Sequence, residues 1–353
     1  MRRSILLCCS LFLTSLPLQA TEYAALALHD RVKFAETIVV ARVVDPASAS
    51  VRVERVLKGA APKVIKLVDY IDFFSVPSQQ KPLIANSREL MFLGKKGDAY
   101  APLQDQYGRW VVRGDRLVDS FAPRDLSRTL RSIQRLVSLQ AQAARSEPEA
   151  DAALVTALKS ADVELQTWAL VEASELVMVP SPALVDIFIA SWPKSYSDIA
   201  TTLSIWRAEQ TAPFFANVLG TSRDGDERGW AALALGGAGG RRYLPTLRQI
   251  AVEDPHPFAR AQAFEGITLV LGHESLSDLR RGANDRDPQV RVIVAGHAYN
   301  LLEFGAARPL WPRPSEVLIA EVRAFLAEML RDPVDSVRQA ATSMLAMMTQ
   351  QHP

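Results

Sequence analysis

Asp254-Pro-His-Pro-Phe-Ala-Arg260-Ala-Gln-Ala263 is the stretch that decides the fold, because the chain repeats it. Asp285-Arg-Asp-Pro-Gln-Val-Arg291-Val-Ile-Val294 and Asp332-Pro-Val-Asp-Ser-Val-Arg338-Gln-Ala-Ala341 keep the same frame. In each, an Asp stands six residues before an Arg, and a small apolar residue follows three positions later. A looser form, without the Asp, occurs at Gln166–Ala169, Ser197–Ala200 and Arg228–Ala231. The six copies start 31, 31, 32, 31 and 47 residues apart. A period of about 30–45 residues marks a solenoid, in which each unit buries its apolar face only against its neighbours.

The units alternate helix, turn and helix. Residues 231–236 read Ala-Ala-Leu-Ala-Leu-Gly, and Leu244 to Ile250 begins a second helix. Gly236 to Gly240 read as the turn between them. The segments Ala231 to Ala263 and Asp332 to Ala341 resemble HEAT repeats, in particular the short kind first described in phycobilin lyases. The resemblance covers about residues 150–350 and implies an α-solenoid that presents surfaces to other proteins. A ladder is expected from Asp254, Arg260, Asp285, Arg291, Asp332 and Arg338: the Asp caps a helix start, and the Arg reaches neighbouring carbonyls or the next Asp. Those roles are structural. A bilin-lyase activity rests on the repeat subtype alone.

The longest interval holds an insertion at 303–317, with Arg308-Pro-Leu-Trp311-Pro-Arg313-Pro at its centre. Three prolines around a tryptophan exclude a helix there. Arg308, Trp311 and Arg313 are therefore candidates for partner contact, as are Trp192 and Trp206 on the repeat surface. Trp168 and Trp230 each stand two residues after a repeat mark, which argues for packing.

Ahead of the repeats the grammar is that of β-structure. Thr37–Val44, Val51–Glu54, Val64–Val68, Leu90–Leu93, Tyr100–Leu103 and Trp110–Val112 read as short strands separated by turn signals. Tyr23 to Phe34 reads as a short helix, and 73–88 as a long loop. The expected architecture is multidomain α+β: a small β-barrel, OB-like module over 21–122, a linking helix over 123–148 and an all-α HEAT-like solenoid over 149–353.

Residues 1–20 have the basic start, short apolar middle and Ala20 of a secretory signal cleaved before Thr21. Both cysteines, Cys8 and Cys9, lie in it, so the mature chain is expected to lack disulfides, a thiolate nucleophile and Cys-ligated metal. Loss of Arg2 and Arg3 moves the formal charge from +1 to −1, which gives no bulk attraction to nucleic acid or anionic membrane. No later apolar run is long enough to span a bilayer.

The chain holds no His-Glu-x-x-His, nucleophile elbow or P-loop. His29, His256, His273, His297 and His352 show no metal-ligand spacing; His273-Glu274 and His297, one unit apart, are placed to approach across a repeat interface. Asp224-Gly-Asp-Glu227 lacks the later ligands of a calcium loop. No catalytic residue, cofactor or metal is expected. The sequence points to an exported, periplasmic, non-enzymatic scaffold or adapter whose partner is another protein. The alternative is an inhibitor or immunity-type protein that blocks a secreted enzyme, with the β module or the 303–317 insertion as its wedge.

Overall fold

The structure is a computed structural model, and it describes residues 27–68, 82–103, 108–118, 123–302 and 314–351. The signal at 1–20, residues 73–81 of the long loop, and Arg308, Trp311 and Arg313 lie outside the described residues. The chain divides into two compact units between Met178 and Val179.

The first unit opens with helix α1 (Leu28–Phe34) and continues through β1 (Thr37–Asp45), β2 (Ser50–Lys58), β3 (Val64–Lys66), β4 (Arg88–Lys96) and β5 (Ala99–Pro102). Then come β6 (Arg109–Arg113), β7 (Arg116–Val118) and β8 (Pro123–Asp125). The strands run in the order β3-β2-β1-β4-β6-β7-β8, all antiparallel, with β5 paired to β4 as well. A parallel bridge between Leu67 and Tyr100, with the Val68 N–H donating to the Tyr100 carbonyl at 2.9 Å, joins the end of β3 to β5. Strands β1, β2, β3, β5 and β4 thereby form a ring. That is the five-stranded OB-like barrel, and β6–β8 extend the sheet beyond it. Register shifts in the β1–β2 ladder after Ile38, Val40 and Val43 supply the curl that closure needs.

Every residue from Thr37 to Ala41 is buried, and this fits a strand covered on both faces. Val39, Ala41, Val43, Val51, Ile65, Leu67, Met91, Leu93 and Tyr100 fill the barrel interior. Ile38, Val40, Leu90, Phe92 and Trp110 are buried as well. Helix α1 packs on β4, and α2 (Leu126–Ala143) packs on β2 and β8. The residues expected to form a linking helix thus belong to the sheet's own unit, because α2 spends Leu126, Ile133, Leu136 and Leu139 on burial there. Helices α3 (Glu147–Leu158) and α4 (Val163–Leu176) belong to it too, although α4 carries the first repeat mark at Gln166–Ala169.

The second unit is all helical: α5 (Pro182–Ala190), α6 (Tyr196–Trp206), α7 (Ala212–Thr221), α8 (Gly225–Gly239), α9 (Leu244–Glu253), α10 (Pro257–Leu271), α11 (Leu276–Gly282), α12 (Pro288–Asn300), α13 (Glu316–Met329) and α14 (Asp335–Gln351). Helices α6, α8, α10, α12 and α14 pack side by side, and α7, α9, α11 and α13 pack against this row. Helix α10 buries Ala259, Arg260, Ala261, Ala263, Phe264, Glu265, Gly266, Ile267 and Thr268, leaving little polar face.

Two local expectations change. Gly236–Gly239 are helical, and the turn begins only at Gly240, whose φ is +57°. The glycines serve close approach: a Cβ on Gly236 would lie 2.3 Å from the Gly266 Cα, and one on Gly237 2.4 Å from the Ser204 Cα. Glu316 and Val317, expected in the insertion, already belong to α13, whose start is capped by Ser315.

Candidate functional site

The row of first helices is held by a repeated charge device. Arg228 on α8 donates from Nε and Nη2 to the two carboxylate oxygens of Asp254 at 2.8 and 2.7 Å. Arg260 on α10 does the same to Asp285, at 2.8 Å for both bonds. Arg291 on α12 does so to Asp332, at 2.7 and 2.9 Å. The third donor turns back within its own unit. Arg260 Nη1 reaches the Asp254 carbonyl, Arg291 Nη1 the Asp285 carbonyl, and Arg228 Nη1 the carbonyl of Ser222, which stands where an Asp would.

Each carboxylate also accepts the backbone N–H two residues on, from His256, Asp287 and Val334 respectively. One Asp therefore fixes the turn before its own helix and clamps the previous unit. Bidentate Arg–carboxylate pairs carry geometric as well as energetic specificity. Burial opposes ionisation of Asp254 and Asp285, but the guanidinium and backbone hydrogen bonds outweigh it and hold both carboxyls below their ordinary value. For Asp332 the Arg291 hydrogen bond is the leading cause of the same downward shift. At the far end, Arg338 Nη1 takes the Asp332 carbonyl at 2.6 Å, and its guanidinium pairs with Asp335 in its own helix.

A second rung escapes the repeat mark. Arg248 on α9 pairs with Asp278 on α11 through two bonds of 3.0 and 2.8 Å, 30 residues apart. That separation is one repeat period, which is the signal available in sequence. His297 Nδ1 lies 2.6 Å from Glu265 Oε2 between α12 and α10, with both residues buried. His297 thus meets a glutamate of the neighbouring first helix, where sequence spacing suggested His273-Glu274.

Trp192 and Trp206 are core residues and present no surface to a partner. Trp192 is 3 % exposed, packs on Tyr196, Phe214 and Phe215, and donates its indole N–H to Glu227 at 2.8 Å. Trp206 is buried with its ring edge-on to Phe188. Trp192 stands in a short 3-10 turn between α5 and α6 and Trp206 closes α6, so both rings are packed among aromatic neighbours and not laid on the surface. A half-buried aromatic pair lies elsewhere: Trp230 on α8 and Phe258 on α10, with ring centroids 5.1 Å apart at 63°.

This arrangement of paired helices and bidentate rungs agrees with the family comparison. Residues 212–300 match the model of the HEAT repeats family. That span carries HEAT repeats. No curated protein matched it. The HEAT match spans α7 to α12, which contains the Arg228–Asp254 and Arg260–Asp285 rungs and the Trp230–Phe258 pair. No helix among the described residues is long and apolar enough to cross a membrane.

Proposed function

We propose that the protein is exported to the periplasm and works there as a non-enzymatic scaffold, holding another protein along its HEAT-repeat array. The observation that carries this reading is the repeated rung. Three bidentate Arg–Asp pairs lock successive first helices at a fixed spacing, which suits a preformed binding surface. HEAT arrays serve generally as interaction scaffolds, and this one offers the half-buried Trp230 and Phe258 across two adjacent units. Aromatic residues that remain partly accessible are common anchors in protein interfaces. The basic, apolar and small-residue sequence of 1–20 supports export.

Cell fractionation tests the location: the mature chain, beginning at Thr21, is expected in the periplasmic extract. Affinity capture on the wild-type chain and on Trp230→Ser and Phe258→Ser variants tests the role. One partner retained by the wild type and lost from both variants supports the reading. Equal capture by all three chains argues against this surface, and catalytic turnover by the purified protein argues against a scaffold.

A further inference from the structure

A cluster in the first unit, outside the HEAT array, brings three potential metal ligands together. His29 and Asp30 begin α1, and Glu172 lies on α4, more than 140 residues later in the chain. One ligand atom from each lies within 4.8 Å of the other two. His29 and Glu172 are buried, whereas Asp30 is only partly so. Among the described residues the buried Nδ1 of His29 has no hydrogen-bond partner, and Nε2 has Asp30 Oδ2 at 3.7 Å as its ionic neighbour. An imidazole this deeply buried ordinarily finds a donor or acceptor for each nitrogen. Gln140 on α2 donates to the His29 carbonyl at 3.0 Å and so fixes the backbone that carries the ring.

The cation now at the cluster is the ammonium of Lys33, paired with Glu172 and 3.7 Å from Glu175 Oε2. The carboxylates of Glu172 and Glu175 face this ammonium, and that of Asp30 lies beside Glu172. Arg31, between the ligands in sequence, lies over the Trp110 ring at 4.8 Å.

We propose that His29, Asp30 and Glu172 bind a divalent transition-metal ion of the zinc type, and that Lys33 swings to Glu175 when the ion takes Glu172. Imidazole nitrogen and carboxylate oxygen are zinc donors at about 2.0–2.2 Å, which puts tetrahedral donors roughly 3.4 Å apart. Closing from the observed separation takes about an ångström of side-chain movement, and the partly exposed Asp30 and the long Lys33 have room for it. Three protein ligands leave a fourth position for water. The two ligands from α1 and the one from α4 would tie the start of the unit to its last helix.

The test is titration of the purified mature chain with zinc chloride against a competing chromophoric chelator. It is run on the wild type and on Asp30→Asn, Glu172→Gln and Lys33→Met variants, each checked for native circular dichroism. The proposal predicts one equivalent bound by the wild type and at least tenfold weaker binding in Asp30→Asn and Glu172→Gln. It predicts severalfold tighter binding in Lys33→Met, which removes the competing cation. Because Asp30 is partly exposed, Asp30→Asn keeps the test decisive where a buried substitution unfolds the chain. Absence of stoichiometric zinc overturns the proposal. So does binding undiminished in Asp30→Asn and Glu172→Gln, or weakened by Lys33→Met.

Discussion

Arg260 and Asp285 face each other through two parallel hydrogen bonds of 2.8 Å, with both side chains more than nine-tenths buried. The same guanidinium holds the Asp254 carbonyl, so one side chain spans two units. Replacing it with alanine leaves the Asp285 carboxylate buried without its counter-charge, an effect of about 3–5 kcal/mol for a buried pair. Arg291→Ala, at a slightly more open rung, is expected to cost about 1–3 kcal/mol. Urea melts of both variants check this, and a neutral Arg260→Ala contradicts the ladder as a source of stability.

The rungs make stability depend on pH in a definite direction. Asp254, Asp285 and Asp332 all have native values below the reference 3.8. Between the native values and 3.8 the unfolded chain therefore binds more protons than the folded one. The stabilisation is fully present above 3.8 and drains away as pH falls through the native values. Chemical melts at pH 7, 5 and 3 should show little loss in the first step and a marked loss in the second. Asp332→Asn should reduce that loss, and an acid limb identical to wild type argues against the assignment.

Gly236 and Gly266 let α8 and α10 approach to backbone contact, since a Cβ on Gly236 would fall 2.3 Å from the Gly266 Cα. Both atoms belong to helix interiors, so a methyl group forces the helices apart. Gly236→Ala is expected to destabilise the array by about 1–3 kcal/mol despite alanine's better helix propensity. A stabilised variant in thermal melts contradicts this close packing.

In the first unit, Glu89 on β4 and Arg109 on β6 form a buried pair with bonds of 2.8 and 3.0 Å. Arg109→Ala leaves the Glu89 carboxylate with the Ser87 hydroxyl at 3.1 Å but without this guanidinium. The expected loss is about 3–5 kcal/mol, read as a lower urea midpoint for the unfolding of the sheet. An unchanged midpoint contradicts that value.

The repeat array was legible because its determinants recur: an Asp and an Arg six apart meet one period later, as Arg260 meets Asp285. The barrel strands were legible from β-branched runs, whereas β7 (Arg116–Val118) and β8 (Pro123–Asp125), three residues each, are too short to show a period. The unit boundary was hidden because α4 carries a repeat mark yet belongs to the sheet's unit. Gly236–Gly239 misled because glycine marks turns and tight helix contacts alike, and only the facing Gly266 distinguishes them. Trp192 and Trp206 misled for a related reason: a large aromatic in a solenoid reads equally as anchor or core. The cluster of His29, Asp30 and Glu172 joins residues from opposite ends of its unit, so no local spacing announces it.

The most direct measurement of the scaffold claim is site-specific photocrosslinking in cells. A photoreactive residue is placed at Gln262, one helical turn after Phe258 on α10, and in parallel at the exposed Val44 on the barrel. The account predicts that one partner protein crosslinks at position 262, does not crosslink at position 44, and disappears from position 262 when Trp230→Ser is introduced. Crosslinks confined to position 44, or none from the array at all, would contradict it.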